Sequence, residues 1–259
     1  MRRFFVDIDN KRNGSVVIDG DEASHINRVL RLKAGDKIIV CFGDGYDHTA
    51  EILELSNKHC KAKLLGRKKN EKENSIHIIL FAPLIKSDKL EYVAQKATEL
   101  GVNKIVPFVS KYSTIKLGGS SNKVDRLARI ALEASKQCGR AVVPQVDTPI
   151  IYADVLVRLA NYDLSLVGYE LETDKTLKQV VSEVASEVVS KLAVMDKGFA
   201  DKAKSIAIVI GSEGGFSESE IESAKSVGAF TFSLGRRILR SETACIVSVA
   251  NLLQLLGEI

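Results

Sequence analysis

Cysteine and histidine are sparse in this chain, four of each in 259 residues, and neither clusters. Cys41, Cys60, Cys138 and Cys245 lie far apart with no C-x-x-C pair. That excludes the usual zinc spacings and a disulfide framework, and it points to a reducing compartment. Cys41 and Cys245 sit in apolar runs and are expected as buried thiols. No apolar run approaches the roughly 18–20 residues of a membrane span. The opening MRRFFVDIDN lacks the apolar stretch of about 7–15 residues that a signal peptide needs. The expectation is a cytoplasmic protein with no membrane partner and no metal. The common nucleotide motifs are missing too. Neither Gly118 nor Gly211 continues as a G-x-x-x-x-G-K-[ST] loop, and Gly43-Asp44-Gly45 meets His48 where a dinucleotide fingerprint needs its third glycine. Internal repeats and low-complexity tracts are absent.

What is present is ordinary in amount and uneven in placement. Hydrophobic content of 45% and charged content of 27% are those of a globular protein, and the length suits one large domain or two modest ones. A net charge of +4 excludes a polycation. Residues 1–74 hold 15 Lys/Arg against 12 Asp/Glu, and residues 75–259 hold 22 against 21. The excess therefore lies in the first quarter, as either a solvated basic surface or the footprint of an anionic partner.

The first seventy residues read as β-rich. Runs at Phe4–Ile8, Ser15–Ile18, Lys37–Phe42, His48–Leu55 and Cys60–Leu65 are bounded by turn residues. One helix interrupts them near Asp21–Leu32, and short strands so close together predict a small barrel. The polar run Arg67–Asn74 reads as a linker. Strands then alternate with helices. Strands are expected at Ile76–Ala82, Lys104–Val109, Leu164–Gly168, Ile206–Ile210 and Phe230–Leu234. Helices are expected at Lys89–Leu100, around Val124–Ala134, over Thr176–Ala193, after Ser217 and at the end of the chain. Asp88 with Glu91 and Ser217 with Glu220 have capping-box spacing. The fold class is α/β, with a parallel sheet covered on both faces.

Two late strands end in glycine followed by polar and basic residues: IVIGSEGGFSESE, then FSLGRRILRSETA. An α/β sheet builds its ligand crevice at such strand C-termini, where glycine lets backbone approach a ligand and helix starts offer free N–H groups. These segments resemble the 16S ribosomal RNA uridine N3-methyltransferases of the SPOUT superfamily. The resemblance extends over the chain, through RRFFV, HINRVLRLKAGDKI, KSDKLEYVAQKATELGVNKIVPF and ALEASKQCGRAVVPQV. Ser212 stands where that family usually has proline.

The resemblance implies a PUA-like, RNA-binding β-barrel over residues 1–70. It also implies a SPOUT domain over 75–259 with a C-terminal trefoil knot, although chain knots are rare. The implied activity is S-adenosylmethionine-dependent methylation of uridine N3 in 16S ribosomal RNA of the small subunit, by a homodimer. Three segments would hold the cofactor: Val167, Gly168, Tyr169 and Glu170; Ile210, Gly211, Ser212, Glu213, Gly214 and Gly215; and Ser233, Leu234, Gly235, Arg237, Ile238 and Leu239, with Thr243 and Ala244 after them. N3 must lose its proton to become a nucleophile. Arginine does not accept protons, so Arg240 is cast as the stabiliser of the uridine anion. Two roles suit Glu242, a base or a cap of the helix it opens. RNA contacts are expected from Arg2, Arg3, Arg28, Arg31, Lys33, Lys86, Lys89 and Arg236, while Arg140 has the alternative of pairing an acid across the dimer. A non-catalytic RNA-binding assembly factor and a nicotinamide or flavin enzyme are the competing classes. The intact glycine loops count against the first, and the missing fingerprint counts against the second.

Overall fold

Six strands near the start pair in the order β1-β4-β5-β6-β3-β2. They are β1 (Arg3–Phe5), β2 (Lys11–Arg12), β3 (Ser15–Asp19), β4 (Lys37–Cys41), β5 (Tyr46–Leu55) and β6 (His59–Lys69). All pairs are antiparallel except β1 with β4. The alternate residues Val16, Ile18, Ile38, Val40, Ala50, Ile52 and Ala62 form one core, and Ala23 and Ile26 plug it. The expected helix near residues 21–32 is instead a short α1 (Gly20–Ser24) running into a π-turn, His25–Val29. Its wide bond, Leu30 N–H to the His25 carbonyl at 3.0 Å, is followed by Arg31 at φ +53°. Insertions of this kind bulge a helix outward.

The structure is a computed structural model that describes residues 1–118, 121–183 and 205–259. The chain divides into two compact units, Met1–Glu73 with Ser135–Val143, and Asn74–Ala134 with Pro144–Ile259. The segment read as a linker is corrected. Arg67–Lys69 belong to β6, paired with Tyr46–His48 of β5. Asn70 is buried, donating to the Asp47 carboxylate at 2.8 Å and the Gly139 carbonyl at 3.0 Å. Glu73 binds Arg140, Ala141 and Val142. Arg140 thus has its acid within its own chain.

The second unit is built on an all-parallel sheet ordered β10-β8-β7-β12-β11-β13, with β9 also on β8. Its strands are β7 (His77–Pro83), β8 (Lys104–Val109), β9 (Gln145–Val146), β10 (Ile150–Ile151), β11 (Leu164–Gly168), β12 (Ser205–Ile210) and β13 (Phe230–Phe232). The helices are α2 (Ser87–Glu99), α3 (Ser121–Cys138), α4 (Tyr152–Leu159), α5 (described over 177–183), α6 (Glu218–Ser226) and α7 (Ser241–Leu256). The rest of the helix expected over 176–193 lies outside the described residues.

The strands read as continuous apolar runs because both faces are covered. On β7, Ile78, Leu80 and Ala82 face α2 and α7, whose contribution includes Leu90, Val93, Val249 and Leu252. Ile79 and Phe81 face the opposite core with Val155, Leu159 and Ile221. Each of the valine, leucine, isoleucine and phenylalanine side chains is worth roughly 1.5–3 kcal/mol when fully buried. After β10 the chain moves to β11, returns to form β12 between β7 and β11, and leaves again to β13 outside β11. Three strand ends are thereby brought side by side.

Candidate active site

The C-terminal ends of β11, β12 and β13 open into a cavity of about 400 Å³. Gly168, Tyr169 and Glu170 form its first wall, Ile210 through Gly215 the second, and Phe232 through Ser241 with Ala244 the third. Three loops remote in sequence meet because their strands are neighbours in register: Gly168 pairs with Ile210 on one side and Phe232 on the other.

Glycine permits the closeness. A Cβ on Gly168 would fall 2.8 Å from Ile210 Cδ1, and one on Gly214 2.7 Å from the Tyr112 carbonyl oxygen. At Gly215, with φ +69°, it would strike the Glu170 carboxylate. The Gly215 N–H donates to the Ser212 carbonyl at 2.9 Å, closing the loop into a tight turn. Ser212 is buried, and its Oγ has no hydrogen-bond partner among the described residues. Behind the loop, the expected capping box of α6 is present, with the Ser217 N–H donating to Glu220 Oε2 at 2.9 Å. The other Glu220 oxygen accepts from the Lys111 N–H at 2.8 Å.

On the β11 side, Tyr169 N–H donates to the Phe232 carbonyl at 3.0 Å. Partial burial and the Glu170 charge raise its phenol above the usual value. Nearby, burial works against the Glu172 carboxylate, but the Thr231 hydroxyl donating at 2.5 Å, the backbone N–H groups of Asp174 and Lys175 and the Lys225 charge together hold that acid below its usual range. On the β13 side, Gly235 takes φ +107°. The chain beyond it exposes Arg236, Arg237, Ile238 and Arg240. Ile238 is 86% exposed. Arg240 is the N-cap of α7 without a side-chain cap bond, so the first-turn N–H groups stay open.

Most residues expected at the cofactor are brought together here, with two exceptions. Val167 turns into the second core, since β11 alternates and its neighbour Gly168 carries the wall. Thr243 is exposed outside the cavity lining. Phe232 and Ser241 line the cavity unforeseen; as the last strand residue and the first helical residue they flank a glycine-rich loop, which is the signal that marks them.

Three residues given roles at the site are engaged with one another. Lys89 Nζ lies 3.2 Å from Glu213 Oε1 and 3.5 Å from Glu242 Oε2. The bond to Glu213, reinforced by Glu242, raises the Lys89 ammonium above its usual range. Lys89, expected as an RNA contact, is therefore an ion-paired residue of the site. Glu242, on the first turn of α7, lies outside the cavity lining. The Asp88–Glu91 capping box does not form, because α2 starts at Ser87 and Glu91 pairs with Arg126 at 2.7 Å.

In the first unit, Arg3 is corrected from an RNA contact to a structural pair. It holds Asp47 through both nitrogens and donates to Cys41 Sγ at 3.0 Å. Arg2, Arg28, Arg31 and Lys33 are exposed. Arg28 Nε also donates to Asn57 at 3.3 Å, which fixes the π-turn on the β5–β6 hairpin. Lys86, at the N-cap of α2, is exposed. No group of metal-ligating side chains occurs among the described residues, and no helix among them is long and apolar enough to cross a membrane.

A family model described as an RNA methyltransferase domain matches residues 72–253, and one described as an RNA methyltransferase PUA domain matches residues 18–65. The chain is similar to the ribosomal RNA small subunit methyltransferase E of Bacillus subtilis, 32% identical over 96% of this chain and 95% of the relative. The enzyme of the same name from Mesomycoplasma hyopneumoniae is 30% identical over 95% and 96%. Among solved structures, a ribosomal RNA small subunit methyltransferase E from Neisseria gonorrhoeae bound to S-adenosyl methionine is 25% identical, with a TM-score of 0.79 over 98% of both chains. Matches of this length make the chain a member of the RNA methyltransferase family to which the small subunit ribosomal RNA methyltransferases E belong.

Proposed function

We propose that this protein uses S-adenosylmethionine to methylate N3 of a uridine in the 16S RNA of the small ribosomal subunit, in the cytoplasm. The observation that carries the reading is the glycine-walled cavity at three adjacent strand ends, with the basic loop Arg236–Arg240 on its rim. The cavity fits the cofactor in kind. Its volume lies within the range of cofactor pockets. Ser212 Oγ is a buried polar atom without a partner among the described residues, Gly211, Gly214 and Gly235 line the cavity, and Gly235 has no atom within 4 Å of where a Cβ would stand. Gly168, Tyr169, Glu170, Ile210–Gly215, Leu234 and Ile238–Leu239 would hold it.

When bound, S-adenosylmethionine supplies an activated methyl group, so the protein's work is binding, orientation and charge. Uridine N3 is hidden in a paired helix and must be presented unpaired. Arg240 supplies a fixed positive charge for the uracil anion left when the N3 proton departs. Glu242, paired with Lys89, serves better as an anchor of the α7 start than as a free base. Arg2, Arg28, Arg31 and Lys33 in the first unit, and Lys86 and Arg236 in the second, are the proposed phosphate contacts.

The knot and the homodimer belong to the same proposal. The return of the chain to place β12 inside β11, followed by α7 packing against α2, supports a threaded C-terminus. The exposed Ile238 suits coverage by a second copy. The test is incubation with S-adenosylmethionine and 16S RNA from cells lacking the enzyme, followed by mass mapping. A methyl group on a uridine base is the expected product. No transfer to free RNA or to small subunits would overturn the reading.

A further inference from the structure

Lys89 joins three pieces of chain that sequence keeps far apart: α2, the glycine loop after β12 and the first turn of α7. Its ammonium touches Glu213, which lines the cavity, and Glu242, two residues beyond Arg240. The Glu242 side chain is only 14% exposed. Its Oε2 has no hydrogen-bond partner among the described residues, so the nearby ammonium is its compensation. Beneath this point α2 and α7 pack through Leu90, Val93, Ala94, Cys245 and Val249, which fixes the stem of Lys89.

We infer that Lys89 is a positioning residue of the proposed methyl-transfer site, its ammonium the counter-charge that clamps Glu213 of the glycine loop to Glu242 of α7. The role rests on the functional reading above. Through Glu213 the clamp sets one cavity wall, and through Glu242 it sets the helix start that carries Arg240. Without the ammonium, the largely buried Glu242 carboxylate is left close to the more exposed Glu213 carboxylate, and like charges so close cannot both stay ionised at low cost. A proton would then take over the work of the lysine. The other charged groups at these two helix starts are Lys86 at the N-cap of α2, Asp88 in its first turn and Arg240 at the N-cap of α7. The Cys245 thiol beside Glu242 is held protonated by burial and by that carboxylate. Among the described residues, neither Lys86 nor Arg240 forms an ion pair with Glu213 or Glu242, where Lys89 pairs with both.

The experiment compares the full-length parent with Lys89→Met, Lys89→Arg and the double variant Lys89→Met with Glu213→Gln. Each is titrated with S-adenosylmethionine by calorimetry, and melted without ligand, at about pH 8 and about pH 5.5. At the higher pH, Lys89→Met should bind about tenfold more weakly than the parent and melt at a lower temperature. Both gaps should narrow at the lower pH, when one carboxylate takes up a proton. Lys89→Arg should stay near the parent, and adding Glu213→Gln should recover much of the loss. If Lys89→Met matches the parent, or shows the same melting deficit at both pH values, the clamp is refuted. A parent that fails to bind S-adenosylmethionine overturns the functional reading and this role with it. A binding parent with a pH-independent gap overturns only the role of Lys89.

Discussion

Gly214 and Tyr112 are packed so closely that a methyl group on the glycine would sit 2.7 Å from the tyrosine carbonyl oxygen. That neighbour is backbone and cannot rotate away, so Gly214→Ala must push the glycine loop off the loop after β8. Gly235 differs. A Cβ there meets no atom within 4 Å, but φ is +107°, a conformation that costs a non-glycine residue about 1–3 kcal/mol. Gly214→Ala should abolish the melting-temperature rise on adding S-adenosylmethionine, while Gly235→Ala should lower the ligand-free melting temperature. A normal ligand shift in Gly214→Ala would show that this wall does not touch the cofactor.

These loops were legible in sequence because glycine clusters after apolar strands have few other uses. Leu164–Gly168 and Lys104–Val109 are strands to the residue, since both faces of the sheet demand mostly apolar runs. The end of β6 was not legible. Arg67, Lys68 and Lys69 are all exposed and held extended by backbone pairing with β5, with no apolar alternation to mark them. The strands β9 and β10 are two residues each, too short to show a period. The place of β12 between β7 and β11 depends on which neighbours remain unpaired as the sheet assembles, and no local pattern encodes that. The same limit hid Lys89, whose partners lie 124 residues away at Glu213 and further still at Glu242.

Arg140 and Glu73 should behave as a structural pair. The arginine is 1% exposed. Glu73 Oε2 accepts from its Nε at 3.1 Å and Nη2 at 2.9 Å, while Oε1 accepts from the Ala141 and Val142 N–H groups at 2.8 and 3.0 Å. Removing Glu73 takes away the carboxylate that compensates this buried guanidinium and two backbone N–H groups, and breaking a buried pair in this way costs about 3–5 kcal/mol. Glu73→Ala should lower the urea midpoint accordingly, and a change within experimental scatter would mean that water replaces the carboxylate freely.

Exposed cations on the first unit should set the salt response. Every cation–phosphate pair that is removed reduces the slope of log affinity against log salt by about 0.7–0.9. Exchanging Arg28, Arg31 and Lys33 for glutamine should therefore flatten the slope by about two units and weaken RNA binding in low salt. Arg3→Gln, which breaks the pair with Asp47, should instead lower stability and leave the slope alone. Filter binding across a salt series separates the two behaviours.

Buried thiols make the alkaline limit predictable. Burial pushes Cys41 and Cys60 up to about 11, in spite of Arg3 beside the former. Burial also raises the Tyr152 phenol. A group with a raised folded value contributes its full stability below its unfolded value, near 8.5 for a thiol, and loses it as pH climbs toward the folded one. Stability should thus be flat up to about pH 8.5 and fall toward pH 11. Cys60→Ala should make that fall shallower; an unchanged curve would mean the thiol ionises without unfolding.

The most decisive variant is Arg240→Met. Arg240 is exposed on the cavity rim at the N-cap of α7, and it forms no ion pair among the described residues. Its charge is therefore available to a ligand and is not consumed by the fold. Methionine keeps the length of the stem and removes the charge, so melting temperature and S-adenosylmethionine affinity should change little. The N3 proton must leave before the nitrogen can attack, and the uracil anion it leaves behind loses its stabiliser in this variant. The methylation rate should fall about 100-fold, the scale of one preorganised stabiliser worth roughly 3 kcal/mol. The deficit should shrink as pH rises toward the ordinary ionisation of the base, since solvent then removes the proton without help. Single-turnover methylation at saturating cofactor across a pH series reads both effects. A near-parental rate at neutral pH, or a deficit that does not change with pH, would assign Arg240 to phosphate binding and leave the anion to another donor.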